Sequence, residues 1–338
     1  MVLRSFALAL GAFVLCAADY PDPPPALAPY IDSGRLAPAD YAWIEGSFAE
    51  ASPEKRAEFE ASQRWIDSCV AEAKEKTRDA LAAAGYPAAS LDDLPVGPLA
   101  CRQAKHYPRH PELTSYAQLR EQMALARPVA DSFLMAVGLA AELGNLGGGG
   151  DFARSLAAQV QLDQMLGRAF SWGAGAASAG APELPPVARA IVVARLETAY
   201  AAQTERETAW LKAAVAQRGW PTESTDGQLV HFQAWLLAQH ADHDPLFQLE
   251  VLRLMEPLAE RGEVSKSNHA YLHDRIMLKL TGRQRYGTQA ECVAGERRPK
   301  PLEEESALAG WRTAAGLESE AEYLASLDRT FGPCSQEG

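Results

Sequence analysis

Between residues 239 and 289 the chain concentrates side chains that donate, accept or hold protons. Gln239, His240, Asp242, His243, Asp244 and Gln248 come first, then Asp274 and Arg275, then Gln284, Tyr286, Thr288 and Gln289. An imidazole titrates near neutral pH, so His240 beside a carboxylate is the side chain best suited to general-base work. Asp242 or Asp274 would orient it, and Arg275 would clamp an anionic group, the arrangement of a hydrolase. Gln239, Tyr286, Thr288 and Gln289 add amides and hydroxyls that would line a ligand pocket. A plainer account fits the same residues. His240 would then be a core histidine satisfied by Asp244 and a backbone carbonyl, Asp274 and Arg275 an ion pair, and 286–289 a loop tied by its own hydrogen bonds.

Other chemistries find less support. His269 and His273 stand four residues apart, so both imidazoles share one helical face, as zinc ligation requires. Ala270, however, occupies the place where a zinc-protease motif would carry its catalytic Glu. We therefore expect no metal and no other cofactor. No G-x-S-x-G nucleophile elbow is present. The run Gly147–Gly150 lacks the preceding strand and the following Lys-Ser/Thr of a phosphate loop, and reads as a linker.

The elements that must position these side chains read as helices. Ser52-Pro53-Glu54 is a cap, a first-turn proline and an acidic first turn, opening a helix that runs to Ala84 and stops at Gly85. Residues 86–113 are rich in Pro and Gly and read as a loop region, and Leu119 to Leu143 is helical again. A Gly/Ala/Pro stretch at 173–186 precedes a long helix over 187–218. A helix over about 228–243 sets Leu229, Phe232, Leu236 and His240 along one stripe. Asp244-Pro245 caps and starts the next, with Phe247, Val251, Leu254, Met255 and Leu258 on one face and Pro257 expected to kink or end it. The last, about 266–280, puts His269, Leu272, His273, Ile276 and Leu280 together. No run of period-two alternation stands out, so the expected fold is all-α: a multi-helix, bundle-like domain preceded by a small helical region that contains a disulfide.

Composition narrows the setting. A net charge of −12 spread over 338 residues disfavours nucleic acid and anionic membrane surfaces, which reward clustered Lys and Arg. Arg4, the apolar stretch Phe6 to Leu15 and the small residues Cys16-Ala17-Ala18 have the order of a cleavable export signal over 1–18. Lipidation at Cys16 is the rival, disfavoured by the bulky Leu15. No later segment reads as a transmembrane span, because Val129 to Leu143 carries Asp131 and Glu142. Export to the periplasm or beyond leaves Cys69, Cys101, Cys292 and Cys334 in an oxidising compartment. Of three connectivities we favour Cys69–Cys101 and Cys292–Cys334, since each stays within one region and closes a modest loop. The expected plan is a Pro-rich lead and helical region over 19–146, a glycine linker at 147–150, a helical domain over 151–331 and a tail at 332–338.

Three stretches, WLLAQHADHDPLFQ at 235–248, AYLHDR at 270–275 and QRYGTQ at 284–289, resemble the domain-of-unknown-function family 6624 of bacteria. Gly219-Trp220-Pro221 and the Asp163-Gln164…Arg168 spacing extend the likeness over roughly 151–331. The resemblance implies a domain type and no activity. We expect an exported module that binds a protein partner or a small ligand, with hydrolysis at His240 as the alternative.

Overall fold

The computed structural model describes residues 20–36, 42–92, 94–107, 110–147, 151–168, 172 and 183–334. The expected leader with Cys16, glycines 148–150, positions 173–182 of the Gly/Ala/Pro stretch and the end of the tail lie outside them. The fold is all-α apart from two small hairpins among the described residues. Helices α1 (Pro53–Ala83), α2 (Leu99–Lys105), α3 (Tyr116–Gly147) and α4 (Phe152–Gly167) are followed by α5 (Pro186–Arg218) and the short α6 (Glu223–Asp226). Then come α7 (Gln228–His240), α8 (Pro245–Glu260), α9 (Lys266–Thr281), α10 (Leu308–Ala314) and α11 (Glu320–Phe331). Strands β1 (Ile31–Asp32) and β2 (Arg35–Leu36) precede α1, and β3 (Ala290–Val293) and β4 (Glu296–Pro299) follow α9, each pair antiparallel.

Local chemistry explains the boundaries. The Ser52 hydroxyl accepts from the Lys55 amide at 3.3 Å and Pro53 opens α1. Asp244 accepts from the Phe247 amide at 3.0 Å and Pro245 opens α8. Ser265 caps α9, whose end is taken by Gly282 at φ +73°, a left-handed position that a Cβ would strain. α8 continues through Pro257 to Glu260 rather than ending there, forgoing the one hydrogen bond that proline cannot donate. The 290–299 hairpin was not expected. Its turn puts both Ala294 and Gly295 at positive φ, and only the glycine signals this in sequence.

Two apolar clusters form the interior. One joins Phe59 and Ile66 of α1 to Leu119 and Ala126 of α3 and to Ile191 and Leu196 of α5. The other joins Ala73 and Leu81, farther along α1, to Leu211 and Val215 of α5 and to the buried faces of α7, α8 and α9. Helices α1 and α5 thus thread both clusters, and both draw on residues from either side of the glycine run.

Two helix faces differ from their periodicity. Leu229 and Phe232 of α7 are exposed, and the buried face is instead His231, Ala234, Trp235, Leu237, Ala238 and Gln239. Leu254 of α8 is also exposed. Helix α3, over Tyr116–Gly144, is long and apolar enough to cross a membrane by length and composition, although the sequence reading set this stretch aside; it packs against α4 and α5.

Both disulfides pair as expected, Cys69–Cys101 and Cys292–Cys334. The first is fully buried between α1 and α2, whereas Cys292 is exposed on β3. Mild reductant should therefore open Cys292–Cys334 in the folded protein and leave Cys69–Cys101 closed until unfolding. Thiol labelling followed by peptide mapping reads the order, and equal labelling of both pairs would contradict it. The Cys69→Ala/Cys101→Ala variant should lose about 3–4 kcal/mol in urea unfolding, the loop-closure contribution of a bridge of this span.

Candidate functional site

The C-terminal end of α7 brings His240 to the seam between α4 and α5. Its Nδ1 lies 2.8 and 2.9 Å from the two carboxylate oxygens of Asp163 on α4. Asp163 has no solvent exposure, while the His240 side chain keeps a quarter of its own. The carboxylate that meets His240 is therefore Asp163, and not Asp242 or Asp274. Gln164 donates to Asp163 at 2.8 Å, and the Tyr200 hydroxyl of α5 also hydrogen-bonds it.

Helix α5 turns a polar stripe into this seam. Gln203 donates to Gln159 of α4 at 3.0 Å and to Glu207 at 3.1 Å. Glu207 is fully buried with its carboxyl against Asp163. Burial first, and the Asp163 charge second, push it up to about 9, so it is a neutral acid at pH 7. Burial and the same carboxylate hold the Tyr200 phenol far above its usual range. The site is thus one carboxylate, one neutral acid, one phenol and one imidazole, largely withdrawn from water.

Asp242 has another partner set. Arg275 donates from Nε at 2.9 Å and from Nη2, Lys279 donates at 2.5 Å, and Gln248 adds a bond at 3.2 Å. Burial alone would raise the Asp242 carboxyl, but the two cations pull it well below the carboxylate range. Gln248 also donates to the Ala238 and Gln239 carbonyls, bracing the α7–α8 corner. Arg275 therefore pairs with Asp242 and not with its neighbour Asp274. His243, on the same corner, is pushed down to about 3 by burial and by the Arg102 charge, so it stays neutral. Asp244 caps α8 and meets Lys212 at 2.7 Å.

Asp274 organises a loop. Fully buried, it accepts from the amides of Arg285, Tyr286 and Thr288 and from the Thr288 hydroxyl at 2.9–3.1 Å. Burial would raise it; His273 and these amides bring it below the usual range instead. Gln284 closes the loop by donating to the Gln289 and Lys300 carbonyls and accepting from the Gln289 amide. Arg312 and Tyr323 donate to the Tyr286 and Thr288 carbonyls. Thr288 is therefore committed to the scaffold, and the Gln289 amide turns back onto it at 3.3 Å. The Tyr286 ring packs edge-on to His273. Gln239 is buried, with its Oε1 unpartnered. His269 and His273 do share a face, their ring centroids 6.3 Å apart, but no group of three or more metal-ligating side chains assembles among the described residues.

Sequence reasoning missed Tyr200, Gln203, Glu207 and Lys279. A signal existed on α5, where Tyr200, Gln203, Thr204 and Glu207 recur at helical spacing amid apolar residues.

Two outcomes follow from these environments. A carboxyl raised in the folded state keeps its proton there while the unfolded chain releases it, so Glu207 costs stability as pH rises from its ordinary 4.5 towards about 9. The slope is about 1.4 kcal/mol per pH unit. Glu207→Gln should remove that slope, gaining on the wild type with each step of urea unfolding from pH 5 to 9; parallel curves would refute the neutral acid. Asp274→Ala, which strands three backbone amides, should cost about 3–5 kcal/mol in the same assay.

No curated protein and no solved structure matches the chain. The matched family stretch begins at the start of α5, so Asp163 lies upstream of it while Glu207, His240, Asp242, Asp274 and Arg275 lie within it. Residues 186–335, the C-terminal part of the chain, match the model of a family of unknown function (DUF6624), the family that the motifs at 235–248, 270–275 and 284–289 resemble.

Proposed function

We propose that this chain is exported and binds a small ligand at His240, on which the Asp163–His240 pair acts as a general base. The observation that carries the reading is the asymmetry of the imidazole. Nδ1 is pinned to a fully buried carboxylate, while Nε2 makes no hydrogen bond among the described residues. In the tautomer that donates from Nδ1 to Asp163, Nε2 bears the lone pair that takes a proton from a water or a ligand hydroxyl. Buried Asp163 then stabilises the imidazolium. The four described cysteines are paired in disulfides, so none of them offers a free thiol, and the reading takes water as the nucleophile and hydrolysis as the reaction class. Those bridges also suit an oxidising compartment and so support export through the 1–18 signal, to the periplasm or beyond.

A second reading, a partner-binding module, is favoured by α3. Met135, Leu139 and Leu143 stand one turn apart on it and are 67%, 56% and 69% exposed. An apolar stripe of this kind suits a protein partner.

Hydrolysis of a panel of p-nitrophenyl carboxylate and phosphate esters separates the two. The general-base reading expects His240→Gln to lower turnover about 10²–10⁴-fold. Asp163→Asn should also impair it, by reversing the tautomer. Turnover that survives His240→Gln overturns the role of His240. Inactivity of the wild type towards the whole panel returns the weight to the partner module.

A further inference from the structure

The charge around Asp242 does not close. Arg275 and Lys279, one turn apart on α9, both bind this single carboxylate, and neither pairs with a second one among the described residues. All three side chains are largely withdrawn from solvent, with exposures of 27% for Arg275, 27% for Asp242 and 19% for Lys279. Lys300, directly after β4, contributes a third positive charge that acts on Lys279. Its backbone is bonded to Gln284 and Gln289, so the lysine is carried on an ordered segment. Asp163 does not supply the missing negative charge, being engaged by His240 and Gln164.

This cationic excess adjoins the His240 site. Asp242 follows His240 by two residues at the α7–α8 corner, and its charge adds to that of Asp163 in holding the Tyr200 phenol up. Partly desolvated cations attract an anion more strongly than surface ones, because less water screens them. An Arg offers two parallel donors to an oxyanion and a Lys offers a point charge.

We propose that Arg275, Lys279 and Lys300 form an oxyanion subsite, for a phosphate or carboxylate group of the ligand, with Asp242 as the internal counter-ion that the incoming anion competes with. The proposal rests on the ligand site at His240 and names the ligand class as anionic. Arg275 is then a clamp shared with Asp242, and the two lysines, absent from the sequence-derived site, complete it.

Calorimetric titration of the mature protein with inorganic phosphate, and separately with acetate, tests this against chloride at matched ionic strength. Saturable binding of at least one of the two is expected, and the arm that responds identifies which oxyanion fits. Asp242→Asn should tighten that binding about tenfold by removing the competing charge, an outcome that a purely structural ion pair would not produce. Lys279→Met and Lys300→Gln should each weaken it about fivefold or more. The Lys300 side chain makes no hydrogen bond among the described residues, so Lys300→Gln carries the test if Lys279→Met fails to fold. His240→Gln should leave the anion affinity within about twofold, which keeps failure of the general base distinct from failure of the subsite. Absence of saturable binding of both anions, in the wild type and in Asp242→Asn, overturns the proposal. Binding that both lysine variants leave unchanged overturns it equally.

Discussion

A carboxylate with no exposure to water has to be met by the protein, because leaving it unpaired costs more than most single contacts contribute. Asp163 is such a group, and the seam of α4, α5 and α7 is arranged around it. His240 answers it from the end of α7, Gln164 from its own helix, and Tyr200 from α5. Glu207 approaches as a neutral acid, which avoids placing two buried negative charges side by side. Gln203 then ties α5 to α4 through Gln159 and to Glu207 itself. Polar side chains of three helices thus converge on one buried carboxylate.

Three buried or half-buried carboxylates have three different jobs, and their surroundings decide which. Asp163 faces an imidazole, which it pins through Nδ1. Asp242 faces Arg275 and Lys279, which hold it ionised through any ordinary pH. Asp274 faces backbone amides and a hydroxyl, and its charge is spent on fixing the loop from Arg285 to Thr288. Residue type alone does not separate these roles. The hydrogen-bond partner does.

The apolar interior supports this polar seam from both sides. Helices α1 and α5 pass through both clusters, so the disulfide-bearing N-terminal helices stabilise the same long helix that carries Tyr200, Gln203 and Glu207. Cys69–Cys101 joins α1 to α2, and Gln103 of α2 reaches from the Leu36 amide to the Thr198 carbonyl of α5. The N-terminal region is thereby coupled to the middle of α5 by covalent and hydrogen bonds as well as by packing.

Local rules written in the sequence were sufficient for the helices with clear end signals, though not for α2, which forms inside a stretch read as loop, nor for α10 and α11, which follow the last expected helix. Ser52-Pro53, Asp244-Pro245, Ser265 and Gly282 mark ends through capping and backbone freedom, which involve only neighbouring residues, and those ends fall where expected. The cysteine pairing was also legible, since four cysteines allow few connectivities and short loops close at the least entropic cost. Side-chain partnership was not legible, because it depends on which helices become neighbours. His240 met Asp163 from 77 positions away rather than Asp242 two residues along, and Arg275 turned from the adjacent Asp274 to Asp242. Consecutive residues on a helix point in different directions, so nearness in sequence says little about who meets whom. Local sequence alone marked the ends of α1, α8 and α9 and supplied the polar groups. Tertiary packing alone decided which of those groups would be buried together, because burial is what makes a charge need a partner.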